Sequence, residues 1–259
     1  MTQANADAGV FLVDDAIFSA SEARLMTQQE QSAAIPPRPL DEILYIASVL
    51  AQRQLPVDIV NNILEFAGVL LSFQAESTER LPARGDMNEV YLQLQLPTAE
   101  ELHVPVGLNL SKCALVVADC TSKDQGWATD GREHNGTYRG SSSWNEITVT
   151  STNEVGESTE KARVPFCPNL RAGRNFRHHR RYFFSDSTGL LENIQLGDTV
   201  AIVLRSQYPG WTNTARYGKL AVCFAVELTD EFSFVDIPFP NRADETSAEP
   251  EAMISCSIH

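Results

Sequence analysis

The sequence predicts a mainly β protein: an antiparallel β-sandwich of jelly-roll-like type, preceded by a helical hairpin. Three observations carry this prediction. From Val90 onward, short apolar runs, some alternating with period two, are separated by turn formers. Helical spacing of apolar residues is confined to the stretch between Asp41 and Leu71. Strands and long helices do not alternate, which argues against a doubly wound α/β fold.

The elements follow in chain order. Residues 1–40 are polar and acidic, with one short apolar run, Val10 to Val13. They bury too little to offset their ordering entropy and are expected to be mostly disordered. Within them, Ser19 with Glu22 three residues on suggests a short helix over Ser19 to Gln31. A helical hairpin is expected over 41–74. In its first helix Ile43, Leu44, Ile46, Ala47 and Leu50 share a face. Its second opens on Leu55-Pro56-Val57-Asp58, with Pro56 in the first turn, where its missing donor does no harm. Gly68 either ends this helix or lets it run on to Leu71.

The β-sandwich domain is expected over 85–232. Its strands are Val90 to Leu96, Leu102 to Leu110, Cys113 to Asp119, Tyr138 to Thr150, Val164 to Phe166, Tyr182 to Phe184, Thr199 to Ser206 and Lys219 to Leu228. Trp144, Glu146 and Thr148 alternate with Asn145, Ile147 and Val149, as a half-buried strand requires. Residues 233–259 read as an acidic tail.

Composition narrows the function classes. The net charge of −14 disfavours a nucleic-acid partner. No apolar run approaches the roughly 18 residues of a membrane span. The first residues lack a basic region and carry Asp7, Asp14 and Asp15, so no secretory signal is read and the cytoplasm or nucleus is the expected compartment. Five cysteines without a CxxC pair read as reduced thiols. Only Cys167 has basic sequence neighbours, Arg163 and Arg171.

Two loops stand out. Asp124-Gln125-Gly126-Trp127 opens a long polar excursion that reaches His134-Asn135-Gly136-Thr137-Tyr138. Tyr208-Pro209-Gly210-Trp211-Thr212-Asn213 follows a strand, with Pro209 and Gly210 fitting the centre of a type II turn. A loop Trp either plugs the end of the core or meets a ligand. The ligand reading takes Asp124, Gln125, Trp127, Tyr138, Trp211 and Asn213 as contacts. The alternative makes Asp124 the head of an Asx-turn and the indoles core plugs, and it carries the greater weight for both loops.

The segment Arg171 to Arg181 holds five of the sixteen arginines in eleven residues. It is a candidate docking site for an acidic peptide, phosphate or RNA through Arg171, Arg174, Arg177, His179, Arg180 and Arg181. It also reads as a basic localisation signal, or as a run neutralised by the protein's own acids. As a strand, it would place Arg177, His179 and Arg181 on one face and His178 and Arg180 on the other. If the run docks a partner, reversing Arg177 and Arg180 should leave the melting temperature nearly unchanged.

No HExxH, CxxC, P-loop or GxSxG pattern occurs, and Gly140-Ser141-Ser142-Ser143 reads as a polar turn. No catalytic residue, metal site or cofactor is assigned. The run Leu55 to Ala67, with Asp124-Gln125-Gly126-Trp127, Gly136-Thr137-Tyr138, Trp144, Asn169, His179, Gly197-Asp198 and Tyr208 to Asn213, resembles a group of uncharacterised fungal proteins. These have an F-box-like Leu-Pro helix followed by a β-sandwich. The resemblance spans about residues 50–230. It implies this architecture and little chemistry.

The expected function is that of a non-enzymatic interaction protein, binding a protein or other ligand through its Trp loops and Arg-rich strand. A carbohydrate-binding, lectin-like module, a hydrolase using paired carboxylates that the sequence does not locate, and an F-box-like ubiquitin-ligase adaptor are the alternatives. The expected partner is a protein or a glycan.

Overall fold

The computed structural model describes residues 10–13, 39–51, 53, 55–85, 88–110, 112–153, 155–184 and 188–232. The helix expected over Ser19 to Gln31 and the acidic tail lie outside them. The chain is mainly β, with antiparallel sheets in a sandwich-like arrangement and two helices ahead of them.

Helix α1, Leu40–Ala51, buries Ile43 and Ala47, four residues apart on one face. Helix α2, Val57–Phe66, starts behind Pro56 and buries Val60 and Leu64 at the same spacing. It stops at Gly68, whose φ of 62° suits the left-handed position. The Gly68 amide donates to Glu65 and the Val69 amide to Leu64, the paired bonds of a Schellman motif.

One sheet, sheet A, runs in the order β1 (Val10–Val13), β9 (Arg177–Phe183), β6 (Cys113–Lys123), β11 (Thr212–Ala225), β2 (Leu70–Ser77). Strand β3, Leu81–Arg84, pairs with the first residues of β11. The other, sheet B, runs β4 (Asn88–Gln95), β10 (Thr199–Ser206), β7 (Ser143–Thr152), β8 (Ser158–Pro168). A short pair joins β5 (Leu108–Asn109) and β12 (Glu227–Leu228).

The core fills the space between the sheets. Val116, Ala118, Leu220, Val222 and Phe224 from sheet A meet Leu92, Leu94, Ile147, Val149, Ile202 and Leu204 from sheet B. The strand read from the alternation forms as β7, with Asn145, Ile147 and Val149 fully buried, but Glu146 and Thr148 are buried as well, so its other face is not left to solvent. A second core holds the hairpin on one end of the sandwich, where Ile43, Ala47, Val60 and Leu64 meet Leu71, Leu108, Val226 and Leu228. Asn61 fastens α2 there, donating to the Leu228 carbonyl and accepting from its amide, both at 2.8 Å.

The structure differs from expectation at several places, and strands β8, β9 and β11 begin earlier than read, at Ser158, Arg177 and Thr212. The apolar run Val10–Val13 forms a strand on the edge of β9. After the hairpin the sheets resume at Leu70, ahead of the expected boundary, because α2 ends at Gly68 and β2 pairs with β11. The strand expected over Leu102 to Leu110 is mostly turns, since His103 (φ 51°) and Gly107 (φ 84°) break the extension. Tyr138 to Ser142 belong to the loop before β7. No helix among the described residues is long and apolar enough to cross a membrane.

Candidate functional site

Both Trp loops leave the same end of the sandwich, opposite the helical hairpin. The end of β6, the start of β7, the end of β8 and the start of β11 converge there. Six polar side chains, Ser122, Asp124, Ser143, Asn145, Asn169 and Asn213, are at most 1% exposed. They satisfy one another, as buried polar groups must. Asn169 donates to Asn213 at 2.8 Å and to Ser143 at 3.1 Å, and accepts from Ser122 at 2.7 Å. Asn145 donates to Ser122 at 2.8 Å. Asn213 donates to the Asn145 side chain at 3.0 Å and to the Trp144 carbonyl at 2.8 Å.

Asp124 anchors both loops to this network. One carboxylate oxygen accepts from Trp211 Nε1 at 2.6 Å and from Ser143 at 2.8 Å. The other accepts the Ala172 amide at 2.8 Å. The hydrogen bonds of Asp124 and Asn213 therefore run inward, and these two residues frame the loop end instead of offering it to a ligand.

The indoles part company. Trp211 is half-buried, held by Asp124 and by an edge contact with Tyr208, ring centroids 6.3 Å apart. The turn before it has Gly210 at φ 82° and the Trp211 amide donating to Tyr208, as the type II reading requires. Trp127 is 58% exposed. Gln125 braces its loop by donating to the Trp127 carbonyl at 2.8 Å. Tyr208 is 51% exposed. Tyr138 is half-buried and shares a 3.2 Å hydrogen bond with His179.

The arginine run splits by role. Arg171 is buried and clamps the 124–142 excursion, donating to the Gly140 carbonyl and to the Asp130 carbonyl at 2.7 Å. Its guanidinium also meets the Asp130 carboxylate at 3.1 Å. Arg180 makes a two-point contact with Asp119, at 2.6 and 2.9 Å. Burial alone would raise the pKa of Asp119, but His178 and Arg180 outweigh it and hold it below the usual range. Arg181 turns inward, donates to the Pro165 carbonyl at 2.6 Å and covers the Phe183 ring at 4.6 Å. Arg177 is half-buried opposite Ser122, where burial lowers its pKa.

His179 faces the core with no exposed surface. Burial first, then the charges of His178 and Arg177, push its pKa down to about 4. As docking groups, Arg171, His179, Arg180 and Arg181 are corrected: they hold the fold. Arg174 remains exposed, with its Nε on the Gly126 carbonyl at 3.3 Å beside Trp127.

Sequence reasoning missed three features, two of which gather residues from distant segments. Arg80, Lys123 and Arg216 converge on the ring of Phe176. Trp144 is half-buried under Arg205 at 5.5 Å, with its Nε1 on Glu146 at 2.6 Å. Helix α2 turns Ile59, Ile63 and Phe66 outward, Phe66 at 92% exposure. Only the last had a local signal, a second apolar row at spacing four and three.

The four described cysteines are free and buried. Burial pushes the Cys167 thiol up to about 12, against any role as a thiolate. Among the described residues no group of His, Cys, Asp or Glu is arranged to hold a metal ion. No protein-family model matches this chain, and no curated protein matches its sequence.

Proposed function

We propose that this chain is a non-enzymatic binding protein whose sandwich end presents Trp127, Tyr208 and Arg174 to a partner protein. The observation that supports it best is Trp127: a large apolar ring kept in water on a loop whose root is fixed by Asp124 and Gln125. A pre-positioned aromatic beside an arginine loses little entropy on binding, and Trp, Tyr and Arg dominate interface energetics. The reading places the protein in the cytoplasm or nucleus.

Affinity capture with wild-type protein and with Trp127→Ala tests it. A partner retained by the wild type and lost by the variant, at unchanged melting temperature, supports the proposal. Identical capture by both contradicts it. A glycan array run alongside decides against the sugar-binding form if no glycan is retained.

A second reading, an F-box-like adaptor, is favoured by the outward row Ile59, Ile63 and Phe66 on α2. Exposed large apolar residues in a contiguous row mark interaction surfaces. Co-purification with the linker subunit that F-box helices bind in ubiquitin ligases, abolished by Phe66→Asp with Ile63→Asp, would establish it. No co-purification with the intact hairpin would remove it.

A further inference from the structure

We propose that the cationic cluster around Phe176 docks an acidic peptide segment of a partner protein. The inference rests on the binding reading above and names the chemistry of the partner. Phe176 precedes β9, Lys123 ends β6, Arg216 lies at an irregularity of β11, and Arg80 follows β2. Four segments distant in sequence thus meet at one ring. Arg216 lies 4.6 Å from its centroid, Lys123 5.1 Å and Arg80 5.8 Å.

Part of the molecule's other positive charge is neutralised in ion pairs. Lys161 pairs with Asp198, Arg163 with Glu146 and Glu160, Arg171 with Asp130, and Arg180 with Asp119. Among the described residues, no carboxylate lies within ion-pair distance of Arg80, Lys123 or Arg174. Lys123 donates to the Arg174 carbonyl at 3.4 Å, and Arg174 to the Gly126 carbonyl. Backbone oxygens and one aromatic ring hold these groups, leaving their charges uncompensated. Cation–π contacts at exposed sites are weak and neutralise no charge. In a chain of net charge −14, such a concentration of positive charge is a complement for carboxylates.

The geometry selects among anions. Stacking nucleobases need an open ring face, and the Phe176 ring is crowded by its cations. The protein's overall negative charge also repels a long phosphate backbone. A short acidic segment meets neither obstacle. Through Arg174 the cluster is continuous with Trp127, so one partner can engage both.

The test is fluorescence anisotropy with a labelled oligo-glutamate peptide and the full chain. The wild type should bind, and raising the salt should weaken binding. Arg80→Glu with Lys123→Glu should weaken it about tenfold or more. If the double reversal fails to fold, Arg80→Gln alone should weaken it by a smaller factor. Equal binding by wild type and charge-reversed protein overturns the inference, as does tighter binding of an oligonucleotide at the same residues. Binding that appears only after Asp244, Glu245, Glu249 and Glu251 are neutralised also overturns it, since the occupant is then the chain's own tail. If oligo-glutamate fails while Trp127-dependent capture persists, this inference falls and the binding function stands.

Discussion

His179 shows how one buried side chain links the fold to pH. Its folded pKa of about 4 lies below the ordinary 6.5. The unfolded chain therefore takes up a proton first as the pH falls. Stability is full above about 6.5 and declines toward 4, by about 3 kcal/mol in all. Melting curves across that range should show the fall, and His179→Gln should flatten it. Asp119 acts in the same direction at lower pH, because its depressed pKa delays protonation in the folded state. Removing Arg180 leaves the buried carboxylate with His178 alone, so Arg180→Ala should cost about 3 kcal/mol in urea denaturation. This reverses the expectation that reversing Arg180 would leave stability untouched. The arginine run was legible as an anomaly, and its strand alternation was read correctly. That Asp119 lies across from Arg180 is a matter of pairing between β6 and β9, which local sequence does not encode.

At the scale of elements, period two and period 3.6 gave most of the sandwich and both helices. Strand β2 escaped because its apolar residues continue almost directly from α2, and β3 because four residues, Leu81 to Arg84, are too few to show a period. Leu102 to Leu110 looked strand-like because Leu102, Val104 and Leu108 are apolar, yet Leu102 and Val104 serve the hairpin core from turns and only Leu108 does so from a strand, the two-residue β5. Gly107 shows the constraint: a Cβ there would lie 2.3 Å from the Phe232 backbone nitrogen. Gly107→Ala should therefore loosen the hairpin end, with faster hydrogen exchange in α2 and a lower melting temperature. Asn61→Ala removes both bonds to Leu228 and should cost about 1–2 kcal/mol, read from the same exchange experiment.

At the scale of the molecule, the two ends of the sandwich divide the work. One end is covered by the helical hairpin; the other is closed by a buried network from Ser122 to Asn213 that holds two loops. The sequence singled out both loops but could not rank their indoles, since each sits behind a turn glycine. The ranking depends on Asp124 reaching Trp211 across 87 positions. The cationic surface was hidden for the same reason: Arg80, Lys123 and Arg216 are unremarkable singly and form a cluster only when folded.

The most direct measurement pairs Trp127→Ala with Trp211→Phe, comparing partner capture and melting temperature for each. Trp127→Ala should lose the partner and shift stability by no more than about 0.5 kcal/mol. Trp211→Phe, which deprives Asp124 of a donor, should lower stability by about 1–3 kcal/mol. The opposite pattern, with Trp127 sustaining the fold and partner capture indifferent to its loss, would contradict the account.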